Sequence, residues 1–153
     1  MRRMRRGIGG MMAMMLVVAM VAVAGCTPER GAVSPEVRLR GALWRAVEID
    51  GSRVEFLRGQ KLDVSLVLYA SGTFRAATGC SNTTGSYSLK GSRIAFSGIT
   101  PESRPCPPAI TKREAAFLRA LKRAATYERR GGRLSLYDRK GGVLLRCIAV
   151  QGR

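Results

Sequence analysis

Leu62-Asp63-Val64-Ser65-Leu66-Val67-Leu68-Tyr69 is the stretch on which the fold reading turns. Its apolar residues recur at every second position, so Leu62, Val64, Leu66 and Leu68 share one face of a strand. Ser71-Gly72 supplies a turn into Thr73-Phe74-Arg75-Ala76-Ala77-Thr78, a spacing that predicts a hairpin. Upstream, Leu43-Trp44-Arg45-Ala46-Val47-Glu48-Ile49 alternates well enough for a strand ended by Asp50-Gly51. Downstream, Ser86-Tyr87-Ser88-Leu89 and Arg93-Ile94-Ala95-Phe96 flank Lys90-Gly91-Ser92 as a second hairpin. Residues 126–128, 133–137 and 143–150 form a third antiparallel set, punctuated by Gly131-Gly132 and Gly141-Gly142. The hydroxyl-rich run from Ser81 to Ser88 reads most simply as a polar turn.

One helix interrupts the strands. Thr111-Lys112-Arg113-Glu114 has the form of a capping box, with Thr111 as N-cap and Glu114 returning the hydrogen bond. Phe117, Leu118, Leu121 and Ala125 then share a face at helical spacing, with Lys112, Arg119, Lys122 and Arg123 mainly outside it. Pro101, Pro105, Pro107 and Pro108 keep the preceding segment extended. The expected class is α+β: an antiparallel, strongly twisted sheet forming a partly open, cracked β-barrel, with the helix covering its open side. Eight short strands do not stay flat, and partial closure is their natural form.

The chain has 153 residues, 27 basic and 10 acidic side chains, four cysteines and no histidine. That length supports one compact domain. Without histidine there is no Ser-His-Asp or Cys-His pair, no imidazole metal ligand and no imidazole pH switch. A serine–lysine nucleophile is the remaining hydrolase option, and no Ser-x-x-Lys motif follows residue 26. The reading is therefore a non-enzyme, with no cofactor and no metal.

The first residues address the chain to a membrane. Arg2, Arg3, Arg5 and Arg6 precede an uncharged run whose apolar heart, Met11 to Ala24, spans 14 residues. A membrane-crossing helix needs about 20. A basic start, a short apolar stretch and small residues at its end form a secretory signal peptide. Val23-Ala24-Gly25-Cys26-Thr27 resembles a bacterial lipobox, in which cleavage before Cys26 leaves that residue to carry acyl chains. Residues 1–25 are thus read as a lipoprotein signal peptide, 26–37 as a Pro/Gly/Ser tether, and 38–150 as the folded domain. Without residues 1–25 the chain keeps 23 basic residues against 10 acidic ones, a net charge of +13. Thr27 after the cysteine favours an outer-membrane location facing the periplasm.

Several segments resemble the META domain family of HslJ-like bacterial envelope lipoproteins. The resemblance runs through Leu39 to Trp44, Gly79-Cys80-Ser81-Asn82-Thr83-Thr84-Gly85-Ser86-Tyr87, and Thr100 to Pro107. It continues through Glu114 with Phe117, Leu118 and Leu121, and through the closing hairpin at 132–136 and 142–145. Ser81 stands where the family usually has asparagine. The resemblance implies an envelope-anchored protein linked to stress or antibiotic tolerance, with no established enzymatic activity. It also implies similarity to the cracked barrels of pilot lipoproteins, whose apolar groove takes acyl chains. A pilot or chaperone for an outer-membrane assembly is accordingly the alternative function.

Export puts Cys80, Cys106 and Cys147 in an oxidising compartment, which suits one disulfide and one leftover thiol. Cys80 and Cys106 lie beside turns that flank the double hairpin, and joining them closes a loop of 26 steps (106 − 80). Such a link stabilises by about 3–4 kcal/mol in the chain-entropy picture. Cys147 alternates with Leu145 and Ala149 and reads as a buried thiol. Tyr69, Tyr87, Tyr127 and Tyr137 read as packing.

Nine basic residues fall within the 28 positions from Arg113 to Lys140. Arg119, Lys122, Arg123, Arg130 and Arg139 are expected to form a face attracted to anionic lipid head groups or an acidic envelope protein. Nucleic acid would respond to the same charge, but an exported lipoprotein rarely meets it, so no nucleic-acid partner is expected.

Overall fold

The computed structural model describes residues 38–150. Cys26 and the segments read as a signal peptide (1–25) and a tether (26–37) lie outside the described residues. The elements are β1 (Leu43–Ile49), β2 (Ser52–Arg53), β3 (Ser65–Leu68), β4 (Thr73–Ala77), β5 (Asn82–Lys90) and β6 (Arg93–Pro101). The helix α1 (Pro108–Arg123) follows, then β7 (Thr126–Arg130), β8 (Arg133–Tyr137) and β9 (Val143–Val150).

All nine strands belong to one antiparallel sheet in the order β2-β1-β3-β4-β5-β6-β7-β8-β9, and β1 also pairs with β9. Setting aside the two-residue β2, the strands close into a ring. The ring is uneven. β5 and β6 share seven register pairs, whereas β6 and β7 meet only at Arg93↔Thr126. The class is α+β with a partly open barrel, and the crack lies between β6 and β7.

The fold-deciding strand shows how alternation becomes burial. Val64, Leu66 and Leu68 are enclosed, Trp44 faces Leu66 across the β1–β3 pair, and Phe74 faces Leu68 across β3–β4. Each such side chain contributes about 1.5–3 kcal/mol through apolar burial. Leu62 departs from the expected face. It precedes the strand, where the ladder no longer fixes its direction, and is 40% exposed. Phe74 and Phe96 meet edge to face with ring centroids 5.2 Å apart, a geometry their quadrupoles favour.

The helix starts earlier than the sequence pattern indicates. Pro107 is the N-cap residue and Pro108 the first helical residue, where a missing N–H matters least. Thr111 lies inside the helix and its hydroxyl bonds back to the carbonyls of Cys106 and Pro107, so no capping box forms. The buried face is Ile110, Phe117, Ala120 and Leu121, while Leu118 is half-buried and Ala125 falls beyond the last turn. The helix packs against β6, β9 and β1, and its apolar side joins the same core as Trp44, Leu66 and Leu136.

The run from Asn82 to Ser88 is strand rather than turn. It pairs with β4 on one side and β6 on the other, from Ala77↔Asn82 through Leu89↔Ile94. Local polarity misleads here because Thr83 and Tyr87 are buried by neighbouring strands that the segment alone does not reveal. Among the described residues no helix is long and apolar enough to cross a membrane.

Candidate functional site

The segment Gly79 to Tyr87 carries the most distinctive motif, and the structure uses it for construction. Gly79 adopts φ +106°, and its carbonyl accepts from the N–H groups of Lys61 and Leu62. A methyl group there would lie 2.9 Å from a guanidinium nitrogen of Arg113. Cys80 is bonded to Cys106, with Cα atoms 6.1 Å apart, which ties the start of β5 to the segment leading into α1. Ser81 is buried, and its Oγ donates to Glu114 Oε1 at 2.7 Å while Thr78 Oγ1 lies 2.9 Å away. Gly85 lets the Phe74 ring approach its backbone. The Tyr87 hydroxyl donates to the Tyr69 carbonyl at 2.7 Å and accepts from Arg40 Nε at 3.0 Å. Trp44 Nε1 donates to the Leu39 carbonyl.

Cys147 is buried beneath β1 and β8, opposite Ala46 and Leu134. Desolvation pushes its thiol up to about 12, so it stays protonated and unreactive at neutral pH. Among the described residues no three histidine, cysteine or acidic side chains come together to hold a metal ion.

The basic residues separate into groups. Arg113 turns inward: its guanidinium donates to the Glu55 carbonyl and to Gln60 Oε1, holding the segment after β2, and burial lowers its pKa. Arg123 is committed to Asp50 at 3.6 Å and Asp138 at 3.1 Å. Arg130 is paired with Glu128 at 2.7 Å. It also stands at the far end of the β7–β8 hairpin, opposite Arg133, while Arg139 follows the end where Thr126 meets Tyr137. The expected single face of Arg119, Lys122, Arg123, Arg130 and Arg139 therefore does not form as one patch. The antiparallel hairpin carries Arg130 a strand length away from Arg139. Arg119 lies beside Asp50, Ser52 and Arg53, in a depression between the helix and the β1–β2 turn.

What the structure does gather is Lys122, Arg123, Arg139 and Lys140 around Asp138 at the helix C-terminus. Bases in the last helical turn answer the partial negative charge of the terminal carbonyls. Asp138 is occupied: the N–H groups of Gly142 and Lys140 and the Arg123 guanidinium hold its carboxyl below the usual carboxylate range. Next to this group a cavity of about 630 Å³ opens at the crack, lined in part by Lys90, Arg93 and Arg139. Lys90 and Arg93 were not legible as site residues from composition. The signal was positional, since the two residues flanking a two-residue hairpin turn face one another.

The family model for the META domain matches residues 37–151. No curated protein matches the chain. Among solved structures, the chain is similar to an NMR structure of a protein from Burkholderia xenovorans at 22% identity. The TM-score is 0.58, and the match covers 74% of this chain and 85% of that one. It is also similar to a crystal structure of a DUF4847 family protein from Bacteroides vulgatus, at 14% identity. There the TM-score is 0.53, with 75% of this chain and 96% of that one covered. These likenesses concern the fold. With the family match spanning all of the described residues, the chain belongs to the META domain family.

Proposed function

We propose that this protein is a non-enzymatic bacterial envelope lipoprotein, anchored through Cys26, whose META domain binds or supports anionic envelope components in stress or antibiotic tolerance. The observation that carries the reading is a division of labour among polar side chains. The motif residues Trp44, Ser81, Tyr87 and Glu114 are consumed in internal hydrogen bonds. Lys122, Arg139 and Lys140 are exposed at one end of the barrel, with no ion pair among the described residues. Exposed like charges on a rigid scaffold suit attraction to a phosphate-rich surface. The pilot-like alternative needs an apolar groove, yet the barrel interior is filled by Trp44, Leu66, Phe74, Phe117 and Leu136.

Two measurements test the reading. Cells making the Cys26→Ser chain should lose the membrane-bound, processed form; unchanged processing and fractionation would remove the anchor from the proposal. The full chain in neutral detergent micelles should show amide shifts at Lys122 and Arg139 when an anionic phospholipid is added, and these should fade as salt shortens the screening length below about 8 Å. Equal shifts with a neutral phospholipid would overturn the surface reading.

A further inference from the structure

We infer that the cavity at the β6–β7 crack is a binding site for a phosphate ester group, held by Lys90, Arg93 and Arg139. This deepens the anionic-surface reading and rests on it for the source of the phosphate. Lys90 and Arg93 are direct register partners across the β5–β6 hairpin, and Arg93 is in turn the register partner of Thr126. Directly opposed like charges disfavour a strand pair, and neither side chain has a salt-bridge partner among the described residues. An anion between them turns that repulsion into two attractive contacts. Arg139 reaches the same cavity from the β8–β9 turn, while Ser88 and Thr126 add hydroxyl groups to the wall.

No carboxylate lines the cavity. The two acids of the β7–β8 hairpin and the turn after it are already engaged. Glu128 bonds to Arg130 and to the Tyr137 hydroxyl, and Asp138 is saturated by Arg123 and two backbone N–H groups. The rest of the wall includes Ala95, Ala124 and Ala125, so the carbon portion of an ester would meet small apolar surface. A guanidinium fork and an ammonium converging beside hydroxyl donors match a tetrahedral oxyanion.

The test titrates the full chain, in neutral detergent micelles, with inorganic pyrophosphate and follows amide shifts. Saturable shifts at Lys90, Arg93 and Thr126 are expected. Arg93→Gln and Arg139→Gln should each weaken the affinity roughly tenfold, as the loss of one charge-assisted contact implies. Arg75→Gln removes the same charge from an exposed position on β4 and should leave the affinity within about twofold. Linear, unsaturated shifts, or equal weakening by all three substitutions, would overturn the cavity proposal. A second titration uses micelles doped with phosphatidylglycerol. Shifts at Arg93 with pyrophosphate but none with the lipid support the cavity and overturn the lipid source. Shifts at Lys122 with the lipid, but none at Arg93 with either probe, overturn the cavity and leave the surface reading standing.

Discussion

Ser81 Oγ donates to Glu114 Oε1 over 2.7 Å, joining the entrance of β5 to the second turn of α1 across 33 residues of sequence. Both ends are removed from open solvent: Ser81 is 1% exposed and Glu114 is half-buried. The carboxylate that local sequence assigns to a helix cap instead docks the helix onto the sheet.

Deleting one end leaves the other short of a partner. Ser81→Ala should destabilise the domain by about 1.5–3 kcal/mol, the range for a hydrogen bond to a charged group. In a double-mutant cycle with Glu114→Ala, urea unfolding should show a coupling of about 0.5–3 kcal/mol. Additive effects would mean that the two residues act separately.

Gly85 is a packing requirement rather than a flexible joint. A Cβ there would sit 2.6 Å from Phe74 Cε1 and 2.8 Å from the Ser97 carbonyl oxygen. Gly85→Ala should therefore cost about 1–3 kcal/mol, as overpacked cores do. The companion substitution Phe74→Leu should recover part of that loss in the double variant, because it removes the ring that the methyl group strikes. Thermal unfolding of the three variants measures both effects.

The cysteines should behave unequally. A non-reduced digest should yield the Cys80–Cys106 peptide, and reduction should lower stability by about 3–4 kcal/mol. Cys147 should resist alkylation in the native protein at neutral pH and react fully in denaturant, since burial holds it protonated. Rapid native labelling at Cys147 would contradict the packing described.

Acid should weaken the closing hairpin. The Gly142 and Lys140 N–H groups, with Arg123, depress the Asp138 carboxyl; the Arg130 guanidinium and then the Tyr137 hydroxyl depress Glu128. A folded pKa below the unfolded one stabilises the domain above the unfolded value of about 4, and the benefit is lost as pH falls through the folded value. Asp138→Asn keeps an oxygen for both N–H groups but cannot titrate. The variant should be less stable than the parent near neutrality and show a shallower decline between about pH 5 and pH 2. Thermal midpoints across that range decide it.

Much of the architecture was legible because it rests on short-range rules. The period-two run through Leu66 and Leu68, the Leu43–Ile49 strand and the closing hairpin follow from alternation and turn residues. Where reading failed, a distant element had overruled the local signal. The polar stretch after Ser81 became a central strand once β4 and β6 flanked it. Arg130 left the expected basic face because the β7–β8 hairpin carries it a strand length from Arg139.

The sequence by itself determined an α+β barrel built from hairpins, because period-two burial and turn chemistry act between near neighbours. It also determined an excess of positive charge that no internal set of ten acids can neutralise. Only the tertiary structure decided where that charge is concentrated. Closing the ring brings Lys90, Arg93 and Arg139 to one crack, while the hairpin carries Arg130 to its other end. Charge count is additive along a chain, but the placement of charges depends on register and closure, which nonlocal strand pairing fixes.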